Sequence, residues 1–168
     1  SRIGRARMEE GAYVWRKILS TGAVIANGSD FPVEEPDPMR GLYAAVTRQD
    51  ASGQPRGGWM ADQRMTREEA LVSFTRSAAF AAHAESLSGS LEAGKLADLV
   101  VLSSDIMRVP PRDILQTTAR LTIVGGEIVY DITPQPGQQE GVSASGWGHP
   151  QCSAAATGIA ATLPPTRH

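Results

Sequence analysis

Ala23-Val24-Ile25-Ala26-Asn27-Gly28-Ser29-Asp30-Phe31-Pro32 is the stretch on which the fold class turns. Its first five residues form a short apolar run without alternation, the pattern of a strand buried on both faces in a parallel sheet. Upstream, Met8, Ala12, Trp15, Ile18 and Leu19 recur at helical spacing within residues 5–20, and Gly22 stands where a helix-ending glycine belongs. Helix, tight turn and buried strand together make an α/β pattern. The run then enters Gly28-Ser29-Asp30, which sets a carboxylate at the C-terminal end of a parallel strand, the functional end in such folds.

Downstream, Asp37 and Pro38 suit the N-cap and first position of a helix over residues 39–47. Residues 50–58 hold Ser52, Gly53, Pro55, Gly57 and Gly58, too many breakers for regular structure, and they read as a loop that Trp59 closes. Thr66 and Glu69 have the spacing of a capping box. Behind them Leu71, Phe74, Ala78, Ala81 and Ala82 continue one apolar stripe, which predicts a helix to about Ala84. From Gly89 the period changes. Ala97-Asp98-Leu99-Val100-Val101-Leu102 and Leu121-Thr122-Ile123-Val124 are β-rich, and Gly125-Gly126 before Glu127-Ile128-Val129-Tyr130 signals a two-residue hairpin. Residues 132–168 are rich in Gly, Pro, Ser, Ala and Gln without sustained periodicity, and a mobile tail is expected there.

Composition excludes several function classes. With 168 residues the chain can hold one domain, or the end of one plus a small second. Its 41% hydrophobic and 20% charged residues belong to a chain that buries a core, not to a disordered one. The formal net charge is -2 with both signs interspersed, so no basic stripe faces a nucleic acid or an anionic membrane. A single cysteine, Cys152, forbids an intramolecular disulfide and fits a reducing, cytoplasmic setting. No apolar run has the length of a bilayer span, and residues 1–10 are charged where a signal peptide is apolar. The chain opens on serine with a helix already under way, which suggests missing sequence upstream.

Asp30 is the one carboxylate whose setting suggests chemistry, since a strand end would hold it while Gly28 leaves room for a ligand. The other reading is that Asp30 caps its own loop through hydrogen bonds to nearby amides, as aspartates in turns often do. His83, late in the alanine-rich helix, has no second ligand at helical spacing and reads as a surface or packing residue. His149 and Cys152 lie close together in a glycine-rich segment, but two ligands do not make a four-coordinate site, and His168 is terminal. Gly57-Gly58 lacks the lysine of a phosphate loop. Ser29 lacks the glycine two residues on that a nucleophile elbow requires, since Phe31 stands there.

Taken in order, Ala26-Asn27-Gly28-Ser29-Asp30-Phe31-Pro32-Val33-Glu34, Gly41-Leu42-Tyr43-Ala44-Ala45-Val46-Thr47-Arg48, Thr66-Arg67-Glu68-Glu69-Ala70, Gly89-Ser90-Leu91-Glu92-Ala93-Gly94-Lys95-Leu96-Ala97-Asp98-Leu99-Val100-Val101-Leu102 and Thr122-Ile123-Val124-Gly125-Gly126-Glu127-Ile128-Val129-Tyr130 closely resemble the metal-dependent amidohydrolase superfamily. The branch looks like the one containing N-substituted formamide deformylase, and the resemblance runs from about Gly11 to Asp131. It implies a fold of class α/β, with the last strand and helices of a (β/α)8 TIM barrel over residues 1–86 and the C-terminal strands of a small β-sandwich over 87–131. Residues 132–168 match nothing in it.

The resemblance further implies that Asp30 is both the catalytic residue and a metal ligand, beside one or two divalent ions, zinc by preference. The implied substrate is a small molecule whose amide, formamide or cyclic amide C-N bond is cleaved by metal-activated water. This sequence carries no His-x-His pair, from which the superfamily draws early ligands. An N-terminal barrel segment is therefore the expected missing partner, on the same or a separate chain, and this chain alone is expected to be inactive. The rival expectation is a non-catalytic, β-rich accessory or interaction module.

Overall fold

The computed structural model of the protein describes Arg2 and residues 4–132. The expected tail, residues 132–168, lies outside the described residues except for Ile132.

Where one helix is expected over residues 5–20, the chain makes two, α1 (Arg5–Gly11) and α2 (Trp15–Ser20). Gly11 is a weak helix former, and Tyr13 takes a left-handed φ of 56° that no helix continues through. The break lets Tyr13 set its ring edge-on to Trp15 at 5.7 Å and to Trp59 at 5.9 Å. Helix α2 ends as read: Thr21 and Gly22 donate to the last carbonyls, and Gly22 has a φ of 82°.

Residues 23–29 run extended, but no described segment pairs with them as a strand. Their backbone bond to the helices goes from the Asn27 amide to the Ser73 carbonyl at 3.0 Å. Exposure alternates along the run. Ile25, Asn27 and Ser29 are half-buried, whereas Val24, Ala26 and Gly28 are exposed. The expectation of burial on both faces is thus corrected for the described residues: one face packs on the helices and the other is open. A parallel strand is covered on both faces only inside a sheet with helices outside it, and no described strand lies beside this run.

Helix α3 (Pro38–Thr47) forms as expected, with the Asp37 carboxylate accepting the Met39 amide at 2.9 Å. The Thr66/Glu69 capping box is present and opens α4 (Arg67–Phe74). The helix expected to reach Ala84 instead breaks at Thr75, with φ -123° and ψ -88°, and resumes as α5 (Arg76–Ala81). Thr75 donates its hydroxyl to the Leu71 carbonyl at 2.7 Å, a local bond that competes with helix continuation. The break turns the buried face from Ala78 to Ala79 and leaves Ala81 and Ala82 exposed. His83 consequently sits past the helix end, exposed and at φ 55°, not late within it.

Strands β1 (Leu99–Leu102), β2 (Ala119–Val124) and β3 (Glu127–Asp131) form one antiparallel sheet in the order β1-β2-β3. Val100 pairs with Thr122, and Thr122 pairs with Tyr130. Gly125 and Gly126 take φ of 59° and 86°, as the two central residues of a type I′ turn require. The main core gathers Met39, Leu42, Tyr43 and Ala45 of α3 with Met65, Ala70, Ile106 and Ile114. Ile114 comes from a 3-10 helix (Pro111–Gln116) that packs on α3, and Arg67 of α4 donates to the carbonyls of Ile106 and Val109. The β-rich half is thereby bound to the helical half through shared side chains.

Candidate functional site

Asp30 emerges at the end of the extended run, where three features fix the backbone around it. Ile25 packs against the main core. Asn27 is tied to α4 by its amide and by its side chain, whose Nδ2 donates to the Ser73 hydroxyl at 2.8 Å. Beyond Asp30 a turn is closed by main-chain bonds, Val33 donating to the Asp30 carbonyl at 2.8 Å and Glu34 to the Ser29 carbonyl at 3.2 Å. Asp30 itself sits at φ 50°, a conformation aspartate tolerates better than most side chains.

The Asp30 carboxylate is exposed and accepts no hydrogen bond among the described residues. Other aspartates do. Asp37 caps α3, Asp50 accepts the amides of Ser52 and Gln54, Asp98 accepts Gly125, and Asp105 accepts Met107. In these loops the side chain holds the turn; in the Asp30 loop carbonyl oxygens hold it and leave the carboxylate outward. A Cβ built on Gly28 would meet nothing within 4 Å, so the approach from that side is open. Glu34 lies in the same loop and is exposed.

Among the described residues no three His, Cys, Asp or Glu side chains come together as a metal-holding group. His83 takes part in no such group, and His149, Cys152 and His168 lie outside the described residues. This donor set does not by itself fit a hydrolytic zinc centre, which takes three protein ligands. Two open clefts lie elsewhere. One of about 500 Å³ is lined by Tyr43, Gln49, Gln54, Arg56 and Arg112, and one of about 350 Å³ by Val24, Arg76, Phe80, Glu85 and Lys95; Asp30 lines neither.

Two ordered clusters escape a reading of the sequence. Arg48, buried and at φ 60°, donates to the carbonyls of Trp59 and Tyr13 at 2.9 and 3.0 Å, with its guanidinium over the rings of Trp59 and Trp15 at 4.7 and 5.7 Å. Burial pushes its pKa below the ordinary guanidinium value, and Asp62 opposes the shift. The second is the pair of Arg16 with Glu69, two bonds of 2.6 Å, which together with the Thr66 amide draws the Glu69 carboxyl down to about 2. The capping spacing reveals half of Glu69's role; the arginine lies 53 residues away and leaves no local signal.

The model of the Amidohydrolase family matches residues 1–130. Amidohydrolase YtcJ of Bacillus subtilis (strain 168) is 31% identical over 130 residues, covering 77% of this chain and 24% of its own. Protein LONG AFTER FAR-RED 3 of Arabidopsis thaliana is 33% identical over 129 residues, 77% of this chain and 22% of that protein. N-substituted formamide deformylase of Arthrobacter pascens is 31% identical over 118 residues, 70% and 21% respectively. An amidohydrolase structure from Thermotoga maritima MSB8 superposes with a TM-score of 0.49 at 26% identity, over 71% of this chain and 26% of that one. The chain thus spans about a quarter of the length of the curated relatives it matches.

Proposed function

Because this chain belongs to the amidohydrolase family, we propose that it contributes Asp30 as the proton-transferring carboxylate of a hydrolase that cleaves the C-N bond of a small amide, formamide or cyclic amide. The observation that carries this is the outward carboxylate. Asp30 stands at the end of an anchored extended run, in a left-handed backbone conformation, and among the described residues it has none of the capping bonds that occupy Asp37, Asp50, Asp98 and Asp105. A strained residue with an uncommitted functional group is a better candidate for chemistry than for architecture.

The chemistry asks little of the rest of the chain. Water attacks the carbonyl carbon, its proton passes to a carboxylate, and the same carboxylate returns that proton to the nitrogen as the C-N bond breaks. One aspartate serves both transfers, provided it is held within hydrogen-bond reach of the water. A divalent metal, zinc by preference and one or two ions, would take Asp30 as a ligand only with further ligands from outside the described residues.

The architecture proposed with it assigns residues 23–27 to the eighth strand of a (β/α)8 barrel, residues 1–86 to the barrel and 87–131 to a β-sandwich. The open face of Val24, Ala26 and Gly28 supports the first assignment, because a neighbouring barrel wall would cover it. The exposed Val100, Val101, Val124, Ile128 and Val129 of the sheet support the second. A further barrel segment is then the partner that covers these faces. No helix among the described residues is long and apolar enough to cross a membrane, and a cytoplasmic location is proposed on the single cysteine.

The test is to express the complete gene and assay purified protein against formamides, linear amides and cyclic amides, before and after chelation, with metal content measured. Hydrolysis of at least one class, lost on chelation and restored by zinc, is the expected result. Bound metal without hydrolysis of any of them would favour a non-catalytic accessory module.

A further inference from the structure

We infer that Asn27 and Ser73 are positioning residues for the Asp30 carboxylate, a clasp that sets where the run from 23 to 29 ends; this rests on the proton-transfer role proposed for Asp30. Among the described residues, the clasp is the run's polar attachment to the rest of the chain. The Asn27 amide donates to the Ser73 carbonyl at 3.0 Å, and its Nδ2 donates to the Ser73 hydroxyl at 2.8 Å, with the Met65 sulfur at 3.8 Å. Ser73 is buried, and its own proton is committed to the Ala70 carbonyl at 2.7 Å. The hydroxyl therefore has a fixed direction, with a lone pair left for Asn27. Its helix is in turn fixed at the other end by the Thr66/Glu69 capping box.

From Asn27 to Asp30 the chain passes only Gly28, which nothing braces, and Ser29. After Asp30 the turn bonds are local, and the next point fixed to the core is Met39 at the start of α3. Asp30 thus hangs between two anchors, and the nearer one in sequence is the Asn27-Ser73 pair. Releasing it lets the carboxylate drift by a fraction of an ångström or more, and catalysis is steeply sensitive to such displacement, about 10²-fold for roughly 1 Å. A hydrogen bond that merely satisfies a buried hydroxyl and a half-buried amide would move the melting temperature and leave turnover alone.

The experiment uses the protein from its complete gene. Ser73→Ala, Asn27→Ala, the double variant and Asp30→Asn are compared for kcat, KM and melting temperature on whichever amide the wild type hydrolyses. Each single clasp variant is expected to lower kcat about 10-fold with KM nearly unchanged, and the double variant to lose no more than either single, since one interaction is removed in all three. Measuring kcat at a temperature well below the lowest melting point separates this from unfolding, and Asn27→Ala leaves a folding-competent second probe if Ser73→Ala disturbs the packing of α4. Should Asp30→Asn abolish turnover while both clasp variants keep kcat within twofold, or should the two losses multiply in the double variant, the positioning inference is overturned and the role of Asp30 stands. Should Asp30→Asn itself turn over normally, the role of Asp30 fails, and the inference built on it fails with it.

Discussion

Asp30 and Arg48 both hold left-handed backbone conformations, φ 50° and 60°, and they do so for opposite reasons. Arg48 ends α3 in that geometry because its side chain is gripped: two carbonyls accept its protons, and two indole rings cover the guanidinium. Its Nη2 is buried without an acceptor among the described residues, so the aromatic faces carry part of the compensation. Arg48→Lys keeps the charge but loses the fork, and a loss of about 1–3 kcal/mol in a denaturant titration is expected. Gly58 packs under the same cluster at φ +84°, where an added Cβ would lie 2.2 Å from the Thr47 carbonyl oxygen. Gly58→Ala should therefore cost about 2–3 kcal/mol in the same titration, from a left-handed conformation and a backbone clash together. An unchanged midpoint in either variant would contradict this account of the cluster. Sequence could nominate Asp30, because strand end, Gly28 and turn are neighbours in the chain. It could not nominate Arg48, whose partners Tyr13 and Trp59 lie 35 and 11 residues away.

At the scale of elements, what was legible is what is local. The capping box of α4, the Asp37 cap of α3, the Gly22 helix end and the Gly125-Gly126 hairpin are each written within a few residues, and each forms as the residues dictate. The departures have separate causes: the Thr75 hydroxyl bond to the Leu71 carbonyl parts α4 from α5, and the 23–29 run lacks a described strand neighbour. Glu69 joins the two kinds of information, since it closes the capping box and also binds Arg16. Its carboxyl is drawn from the usual 4.5 down to about 2, first by the Arg16 hydrogen bonds. A carboxyl depressed on folding adds stability that is fully present above its unfolded value and is lost as pH falls through the folded one. Thermal melts should therefore show the wild type losing an advantage over Glu69→Gln as pH drops from about 4.5 towards 2. The pair is partly open to solvent, so that advantage is worth about 1 kcal/mol at neutral pH. A constant difference between the two proteins across this range would exclude the ion pair as its source. Thr66→Ala tests the other half of the cap and should cost about 1 kcal/mol.

At the scale of the whole molecule, apolar surface lies open on the extended run and on the sheet. Val24, Val100, Ile128 and Val129 are each half or more exposed, more than a solvated face needs. Such surface drives association, so the 168-residue chain expressed by itself is expected to sediment as oligomers or aggregates. A sharp monomer with one cooperative melt would contradict the proposal that a barrel wall and a second sandwich sheet cover these faces. The family and the coarse α/β class were legible because separated motifs occur in order over residues 11–131, whereas substrate choice was not, because neither the sequence nor the described residues bring binding side chains to Asp30. The central claim is that Asp30 transfers the proton. Its most direct measurement is kcat/KM for Asp30→Asn in protein from the complete gene, beside Glu34→Gln in the same loop, with melting temperatures recorded for both. The substitution keeps the side chain's size and removes its basicity, so a loss of about 10²- to 10⁴-fold at an unchanged melting temperature is predicted, with Glu34→Gln close to wild type. Near-normal turnover in Asp30→Asn, or a loss that only tracks unfolding, would contradict the claim.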